Sequence, residues 1–307
     1  MSFALGRFRG PGGVPFAAVA VGQDVIPLSA LLPGFVDIGD ALADWPTAFA
    51  ALADVTAGTR YAGIPLDDLS PLPPVAPRQV FQSGANYRTH VIDLIAAREG
   101  DTEEVRSRAA AMMDERAEPY VFIGLPGALC GPYDDVILPD TGDEHDWELE
   151  LAAVIGRRAY RVSRHDALEY VAGYTIVNDI TTRDRVFRPD LPGIGSDWLA
   201  AKNAPTFLPA GPWLVPAAFV GDPMKLRITL SLNGEVMQDE STADMIFDVA
   251  RLIEHTSSIT QMLPGDLLLT GSPAGNGAFR GRFLRPGDVM EGSITGLDRQ
   301  RNRCVAR

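Results

Sequence analysis

The chain has 307 residues, 46% hydrophobic and 22% charged, enough for one large domain or a large one with a small companion. Its 27 Lys and Arg against 40 Asp and Glu leave a net charge of −13 and a pI near 4.7. That balance argues against nucleic acid and anionic membrane surfaces as partners, because phosphate binding rests on Lys and Arg. Cys130 and Cys304 provide no disulfide framework, metal-ligand spacing or redox pair. No apolar run has membrane-spanning length and no secretory leader opens the chain, so the expectation is a cytoplasmic protein.

Residues 1–75 read as a small β-rich N-terminal domain. Pro11-Gly12-Gly13, Pro15, Pro27 and Pro33-Gly34 punctuate it, Phe16 to Val21 is a β-type run, and a helix is expected from about Trp45 to Ala57, closed by Gly58. Ser70 to Pro77 carries four prolines and reads as a stiff linker. The second domain, 76–307, opens with the strand Val80-Phe81-Gln82, a tight turn over Gly84 to Asn86, and a helix beyond it. On that helix His90 and Asp93, three apart, share a face and suit a His–carboxylate acid/base pair; a surface His beside a helix-start acid is the plainer alternative. Residues 94–118 form a charged, Ala-rich helical excursion broken at Gly100-Asp101, either a mobile cover or a solvated surface helix. Tyr120 to Gly124 is the next strand.

Asp146-Trp147-Glu148-Leu149-Glu150 alternates acids with apolar residues and runs on into Leu151 to Ile155. A β-strand period puts the three acids on one face, where a bound cation or shared protons would offset their repulsion; a solvated acidic face is the alternative. Ser163 to Asp166 reads as the cap of a helix ending near Gly173, and Tyr174 to Val177 as a strand leading into Asn178-Asp179. From Trp198 to Pro216 the prolines at 205, 209, 212 and 216 suggest an extended, locked loop carrying Lys202. Leu226 to Leu232 with Asn233-Gly234 is a type I′ hairpin signal. Ser241 to Asp244 is expected to cap a helix with the stripe Met245, Ile246, Val249, Leu252 and Ile253, ending near His255. Pro264-Gly265-Asp266 and Pro286-Gly287-Asp288 each enter a strand, and the Gly-rich loop Thr270 to Gly277 lacks a phosphate-loop ending but suits an amide nest.

These stretches, in order, resemble the fumarylacetoacetate hydrolase family over roughly residues 78–307. The matches are Gly84-x-Asn86-Tyr87-x-x-His90, Asp146-x-Glu148-x-Glu150 and Asn178-Asp179-x-x-x-Arg183-Asp184. They continue with Lys202, Gly211-Pro212-Trp213, Asn233-Gly234, Pro264-Gly265-Asp266 and Thr270-Gly271-Ser272-Pro273-Ala274-Gly275. The resemblance implies an α+β, β-rich fold with a mixed β-roll catalytic domain, usually a homodimer. It implies one Mg²⁺ or Mn²⁺ per subunit on Glu148, Glu150 and Asp179, with Asp146 supporting, and these hard oxygen ligands suit such ions rather than zinc. It implies His90 with Asp93 as the proton-moving pair, Arg183 and Lys202 as groups that polarise substrate oxygens, and Tyr87, Thr270 and Ser272 as substrate contacts. Gly124 and Val186 stand where many relatives carry Lys and Gln, which suggests a roomier, less polar pocket. The implied activity is hydrolysis of a carbon–carbon bond in a 1,3-dicarbonyl compound, a small diketone or keto acid from aromatic or cyclic catabolism. β-Keto acid decarboxylation, keto–enol isomerisation and a metal-binding relative without catalysis are the alternatives.

Overall fold

A computed structural model of the chain describes residues 3–10, 12–22, 24–58 and 63–307; Pro11, one of the expected punctuating residues, lies outside them. The N-terminal segment runs through β1 (Ala4–Arg9), β2 (Pro15–Val21) and β3 (Asp24–Pro27). Helices α1 (Leu28–Leu31), α2 (Ile38–Ala43) and α3 (Trp45–Gly58) follow, and the chain returns as β4 (Ile64–Pro65) and β5 (Ser70–Leu72). One antiparallel sheet results, in the order β4-β3-β2-β1-β5. The expected linker therefore begins as an edge strand, with Pro71 opposite Phe8, a place where a missing N–H leaves no central ladder bond unmade.

The central sheet is mixed and ordered β15-β12-β11-β18-β6-β7. Its strands are β6 (Val80–Gly84), β7 (Tyr120–Gly124), β11 (Leu149–Ile155), β12 (Val171–Asn178), β15 (Val215–Pro216) and β18 (Leu267–Leu269). A third sheet, ordered β17-β16-β19-β20-β9, comprises β9 (Val136–Leu138), β16 (Arg227–Leu232), β17 (Glu235–Ser241), β19 (Val289–Ile294) and β20 (Asp298–Ala306). Two short ribbons pair β8 (Leu129–Cys130) with β14 (Leu208–Pro209) and β10 (His145–Asp146) with β13 (Thr181–Thr182). Strand β11 is buried on both faces. Leu149, Leu151, Ala153 and Ile155 enter a core shared with the third sheet, while Ala152 and Val154 meet the residues of the N-terminal sheet. A strand covered on both sides reads as a continuous apolar run, which is why the alternation in this stretch fades after Glu150.

The helices that matter to function are α4 (Arg88–Glu99), α5 (Glu103–Asp114), α6 (Trp198–Lys202), α8 (Val249–Ile259) and α9 (Gly277–Arg280); α7 (Ala217–Val220) is a single turn on β12. Gly100 ends α4 at φ 105° and Thr102 caps α5, so the break read at Gly100-Asp101 is a helical hairpin.

Three local expectations are corrected. Residues 163–173 form no α-helix: Ser163 and Asp166 bond each other, Ala167–Tyr170 makes one 3₁₀ turn, and Gly173 already lies in β12, where a Cβ would stand 2.2 Å from the Val215 carbonyl. Residues 198–202 are helical rather than extended, because the Asp197 side chain accepts from Ala200 N at 3.1 Å and no proline occurs before 205. Ser241 caps only a 3₁₀ turn; α8 starts at Val249 under the Asp248 cap and runs past His255 to Ile259, keeping Val249, Leu252 and Ile253 as its buried stripe. The hairpin at Asn233-Gly234 has φ of 53° and 85°, as a type I′ turn requires. No helix among the described residues is long and apolar enough to cross a membrane.

Candidate active site

The ladder between β11 and β12 sets Glu150 opposite Val177 and Leu149 opposite Asn178. Just beyond it the Asp179 N–H donates to the Glu148 carbonyl at 2.8 Å, and the Asn178 side chain accepts from Glu148 N at 2.9 Å. Strand pairing thus brings Glu148, Glu150 and Asp179 together, with ligand oxygens within 4.8 Å of one another and all three residues buried. On the other side of β11, β18 delivers the loop after Thr270, where Gly271 N donates to Glu150 Oε2 at 2.7 Å. Gly271 sits at φ 91° with a would-be Cβ 3.0 Å from Asn86 Cβ, so glycine is required for that amide to reach the carboxylate.

Two cations serve these acids. Lys202, at the end of α6, donates to Glu148 Oε2 and Asp179 Oδ2 at 2.6 Å each and to Thr181 Oγ1 at 2.7 Å, which uses all three of its N–H groups. Arg183 donates through Nε to Asp146 Oδ2 at 2.8 Å and through Nη2 to Glu148 Oε1 at 2.6 Å. Asp146 also accepts from Gly277 N and Ala278 N at the start of α9, at 2.6 and 3.0 Å, so it anchors Arg183 and the Gly-rich loop. Burial raises the Glu148 carboxyl, but Arg183 and Lys202 together override it and hold the group down to about 2. For Asp179 burial wins over Lys202, with help from the charge of Glu148, and the group is pushed up to about 6. Burial, then Asp179 and Glu148, push Glu150 well above the usual carboxylate range.

Four buried carboxylates therefore face two cations. A hard divalent ion fits this set: the three clustered groups are oxygen donors, two of them resist ionisation for want of positive charge, and no sulfur or imidazole belongs to the cluster.

Above the acids opens a cavity of about 480 Å³ lined by His90, Glu148, Glu150, Arg183, Lys202, Ser272 and Val186 among others. His90, on α4, is buried, and burial with Arg183 and Lys202 outweighs Glu148 to lower its imidazole to about 4, leaving it neutral at neutral pH. Asp93 does not join it. Its Oδ1 accepts from Arg106 Nη1 of α5 at 3.0 Å, it borders a different hollow beside Asp239 and Glu240, and no hydrogen bond links it to His90 among the described residues. Spacing on one helix gave the pair a shared face, but the cation on the facing helix captures the carboxylate.

Of the other expected contacts, Ser272 and Val186 line the cavity while Tyr87, Thr270 and Gly124 do not. Tyr87 is fully buried and the Thr270 hydroxyl donates to the Leu151 carbonyl at 2.9 Å. Gly124 does not enlarge the cavity: a Cβ there would lie 2.6 Å from Gln82 Oε1, so the Gln82 carboxamide occupies the space. Gln82 and Thr181 escaped the sequence reading, though both touch the acids; Gln82 Nε2 donates to Asp179 Oδ1 at 2.6 Å. Gln82, a polar residue inside the apolar strand Val80-Phe81-Gln82, was the available signal. Also missed was an aromatic wall: Phe122 and Trp198 stack at 4.4 Å between centroids, and Trp198 Nε1 donates to the Tyr120 hydroxyl at 2.7 Å.

Comparison with known proteins places this geometry. The family model described as fumarylacetoacetate (FAA) hydrolase C-terminal matches residues 79–305. The chain is 36% identical over 250 residues to a protein of Bos taurus named oxaloacetate tautomerase FAHD2A, mitochondrial, covering 80% of this chain and 73% of that one. Among solved structures, a probable 2-hydroxyhepta-2,4-diene-1,7-dioate isomerase from Mycobacterium abscessus superposes with a TM-score of 0.78 at 30% identity, covering 100% of this chain and 99% of that one. Maleylpyruvate hydrolase from Sphingobium sp. SYK-6, in complex with manganese(II) and pyruvate, superposes with a TM-score of 0.76 at 27% identity and 99% coverage of each chain.

Proposed function

The chain belongs to the fumarylacetoacetate hydrolase family, a family of enzymes, and from that premise we propose that it hydrolyses a carbon–carbon bond in a 1,3-dicarbonyl compound. The observation that carries the reading is the buried cluster of Glu148, Glu150 and Asp179, two of whose members, Glu148 and Glu150, line one cavity with His90 and Arg183. Those three carboxylates would hold Mg²⁺ or Mn²⁺, which when bound supplies Lewis acidity to the substrate's carbonyl oxygens.

The chain's own residues account for the rest. Neutral His90 accepts a proton from water, and the hydroxide adds to the acyl carbonyl. The bond from that carbonyl to the central carbon breaks, and its electron pair stays on the central carbon as the enolate of the remaining ketone. The proton held by His90 then returns to that carbon, so one water is consumed and one acid and one methyl ketone are released. Arg183, which lines the cavity, retains N–H groups beyond the two it spends on Asp146 and Glu148, and in this reading they stabilise the developing oxyanion. Lys202 contributes its charge and fixes Glu148 and Asp179 in place.

The test is a panel of 2,4-dioxo acids and apolar β-diketones, with Mn²⁺ or with EDTA, scored by the acid released. No EDTA-sensitive release from any member would refute the proposal. A second reading, keto–enol tautomerisation, draws support from the Asp93–Arg106 pair: moving a proton between carbon and oxygen needs a base but no activated water. Ketonisation of an enol without release of acid would select it.

A further inference from the structure

Polarity in the cavity is graded with depth. The polar groups deepest in it are Lys202 at 3%, Glu150 at 2% and both Glu148 and His90 at 7% exposure, with the Arg183 side chain, 20% exposed, above them. Toward solvent the lining becomes Leu94, Tyr120, Phe122, Phe187, Ser196 and Trp198, with Val186, 6% exposed, an apolar group in the deeper wall. Phe187 is 68% exposed, Tyr120 45% and Leu94 40%, an apolar rim left open where two chain segments, α4 and the loop after Arg183, face each other. That loop is held in shape, because Phe187 bridges Ser196 and Asp197 N donates to the Val186 carbonyl at 2.7 Å. The rim is a wall built to a position rather than a loose tail.

The lining cations are already committed. Lys202 has spent its three N–H groups on Glu148, Asp179 and Thr181, and Arg183 is bound by two carboxylates with some N–H groups left over. Near the rim, the Arg116 guanidinium bonds the Ala85 carbonyl and lies 5.1 Å over the Phe247 ring, and it does not line the cavity. Ser83 Oγ, buried and without a partner, is a neutral hydroxyl. The deep end therefore provides for one anionic or enolic head, and the outer end provides mainly apolar contact, its polar groups being the neutral hydroxyls of Ser196 and Tyr120 and no cation.

We propose that the substrate is a 1,3-dicarbonyl compound with one polar head and an alkyl or aryl acyl arm, and that the apolar rim discriminates against a second carboxylate at the far end. This rests on the 1,3-dicarbonyl reading above and adds the class of its variable group. Phe187, Trp198 and Val186 are its specificity-determining residues.

The experiment uses the full chain with Mn²⁺ and compares 2,4-dioxo acids whose acyl group is acetyl, pentanoyl, heptanoyl or benzoyl with oxaloacetate and a 2,4-dioxo diacid. The expected result is a rise in kcat/KM of about fourfold per added methylene, the value of burying one such group, with both diacids below the acetyl compound. A flat alkyl series, or a diacid as the preferred substrate, overturns the proposal. Phe187→Ser removes an exposed side chain and so leaves the fold intact; it should flatten the alkyl slope. Val186→Arg, which places a cation in the wall, should reverse the order in favour of diacids.

Calorimetric binding of 2-oxo acids without a second carbonyl separates this proposal from the one beneath it. If no dioxo acid turns over yet 2-oxooctanoate binds more tightly than 2-oxoglutarate, the cleavage reading fails and the apolar-arm inference stands. If 2-oxoglutarate binds as tightly or more so, the inference fails whatever the activity.

Discussion

Replacing Lys202 by Met tests the electrostatic account of the site most directly. The ammonium is 4% exposed and lies 2.6 Å from one oxygen each of Glu148 and Asp179, whose side chains are 9% and 2% exposed. Solvent therefore screens little of the interaction, and methionine of similar length leaves no large void. Removing one partner of a buried ion pair costs about 3–5 kcal/mol, because the remaining charges lose their counter-ion without regaining water. An unfolding entropy of about 2.1 cal/mol/K per residue makes that a fall in Tm of roughly 5–8 °C for this 307-residue chain. The measurement is thermal unfolding in EDTA, repeated with saturating Mn²⁺. In EDTA the full drop is expected; with Mn²⁺ a large part should be recovered, since an ion bound by the folded state alone stabilises it by mass action and supplies the missing positive charge. Equal midpoints for wild type and K202M in EDTA would refute the claim that Lys202 neutralises these acids. A drop that Mn²⁺ leaves untouched would refute the claim that the same acids hold the metal.

Glu150→Gln keeps the acceptor for Gly271 N but removes a carboxyl whose ionisation burial, Asp179 and Glu148 oppose; it should weaken Mn²⁺ binding at least about tenfold by calorimetry while raising Tm in EDTA. His90→Ala should lower kcat by about 10²–10⁴ and leave Mn²⁺ affinity unchanged, as steady-state kinetics and calorimetry will show. Asp93→Asn should change kcat by less than about threefold, because the carboxylate is bound to Arg106; a loss on the order of a hundredfold would show that it orients His90 during turnover. Although burial raises Asp288, Arg282, Asn233 and the Arg285 amide together hold it below the usual carboxylate range. Its contribution to stability is therefore present above its unfolded pKa of about 3.9 and lost as pH falls through the lower folded value, so urea midpoints of wild type and D288N should differ at pH 7 and converge below that window.

The elements of the site were legible in the sequence to different depths. Alternation from Asp146 placed Glu148 and Glu150 on one side of a strand, and they are. It could not show that the ladder breaks at Trp147 and Glu148, nor that Asp146 turns to Arg183 and the amides of α9. Asp179 entered only through the family pattern, because its nearness to Glu148 is made by the pairing of β11 with β12, a contact between residues thirty positions apart. The His90–Asp93 spacing implied a shared face and a partnership, whereas Asp93 pairs with Arg106 of the next helix and borders a hollow other than the cavity His90 lines. At Trp198 the prolines farther on outweighed a cap, Asp197, that was visible in the sequence. With the helix went the aromatic wall that it carries. Capping and turn chemistry are local and could be read; partner choice among buried charges depends on which surfaces meet.

The charge count joins the metal to the substrate. Asp146, Glu148, Glu150 and Asp179 carry four negative charges when ionised, and Arg183 and Lys202 return two. Left so, the folded protein relieves the imbalance by protonation, which is why Glu150 and Asp179 sit high while Glu148, with both cations beside it, sits low. A divalent ion would close the deficit and let all four acids ionise together. With such an ion held by these acids the site would be electrically balanced before substrate arrives, so a single anionic head would rely on directional hydrogen bonds from the N–H groups Arg183 has left rather than on surplus positive charge. A second carboxylate would enter an already balanced, largely apolar-walled space whose outer lining offers it neutral hydroxyls and no cation. The acid-rich floor and the aromatic rim thus favour the same ligand: one polar end directed inward and one apolar end directed out.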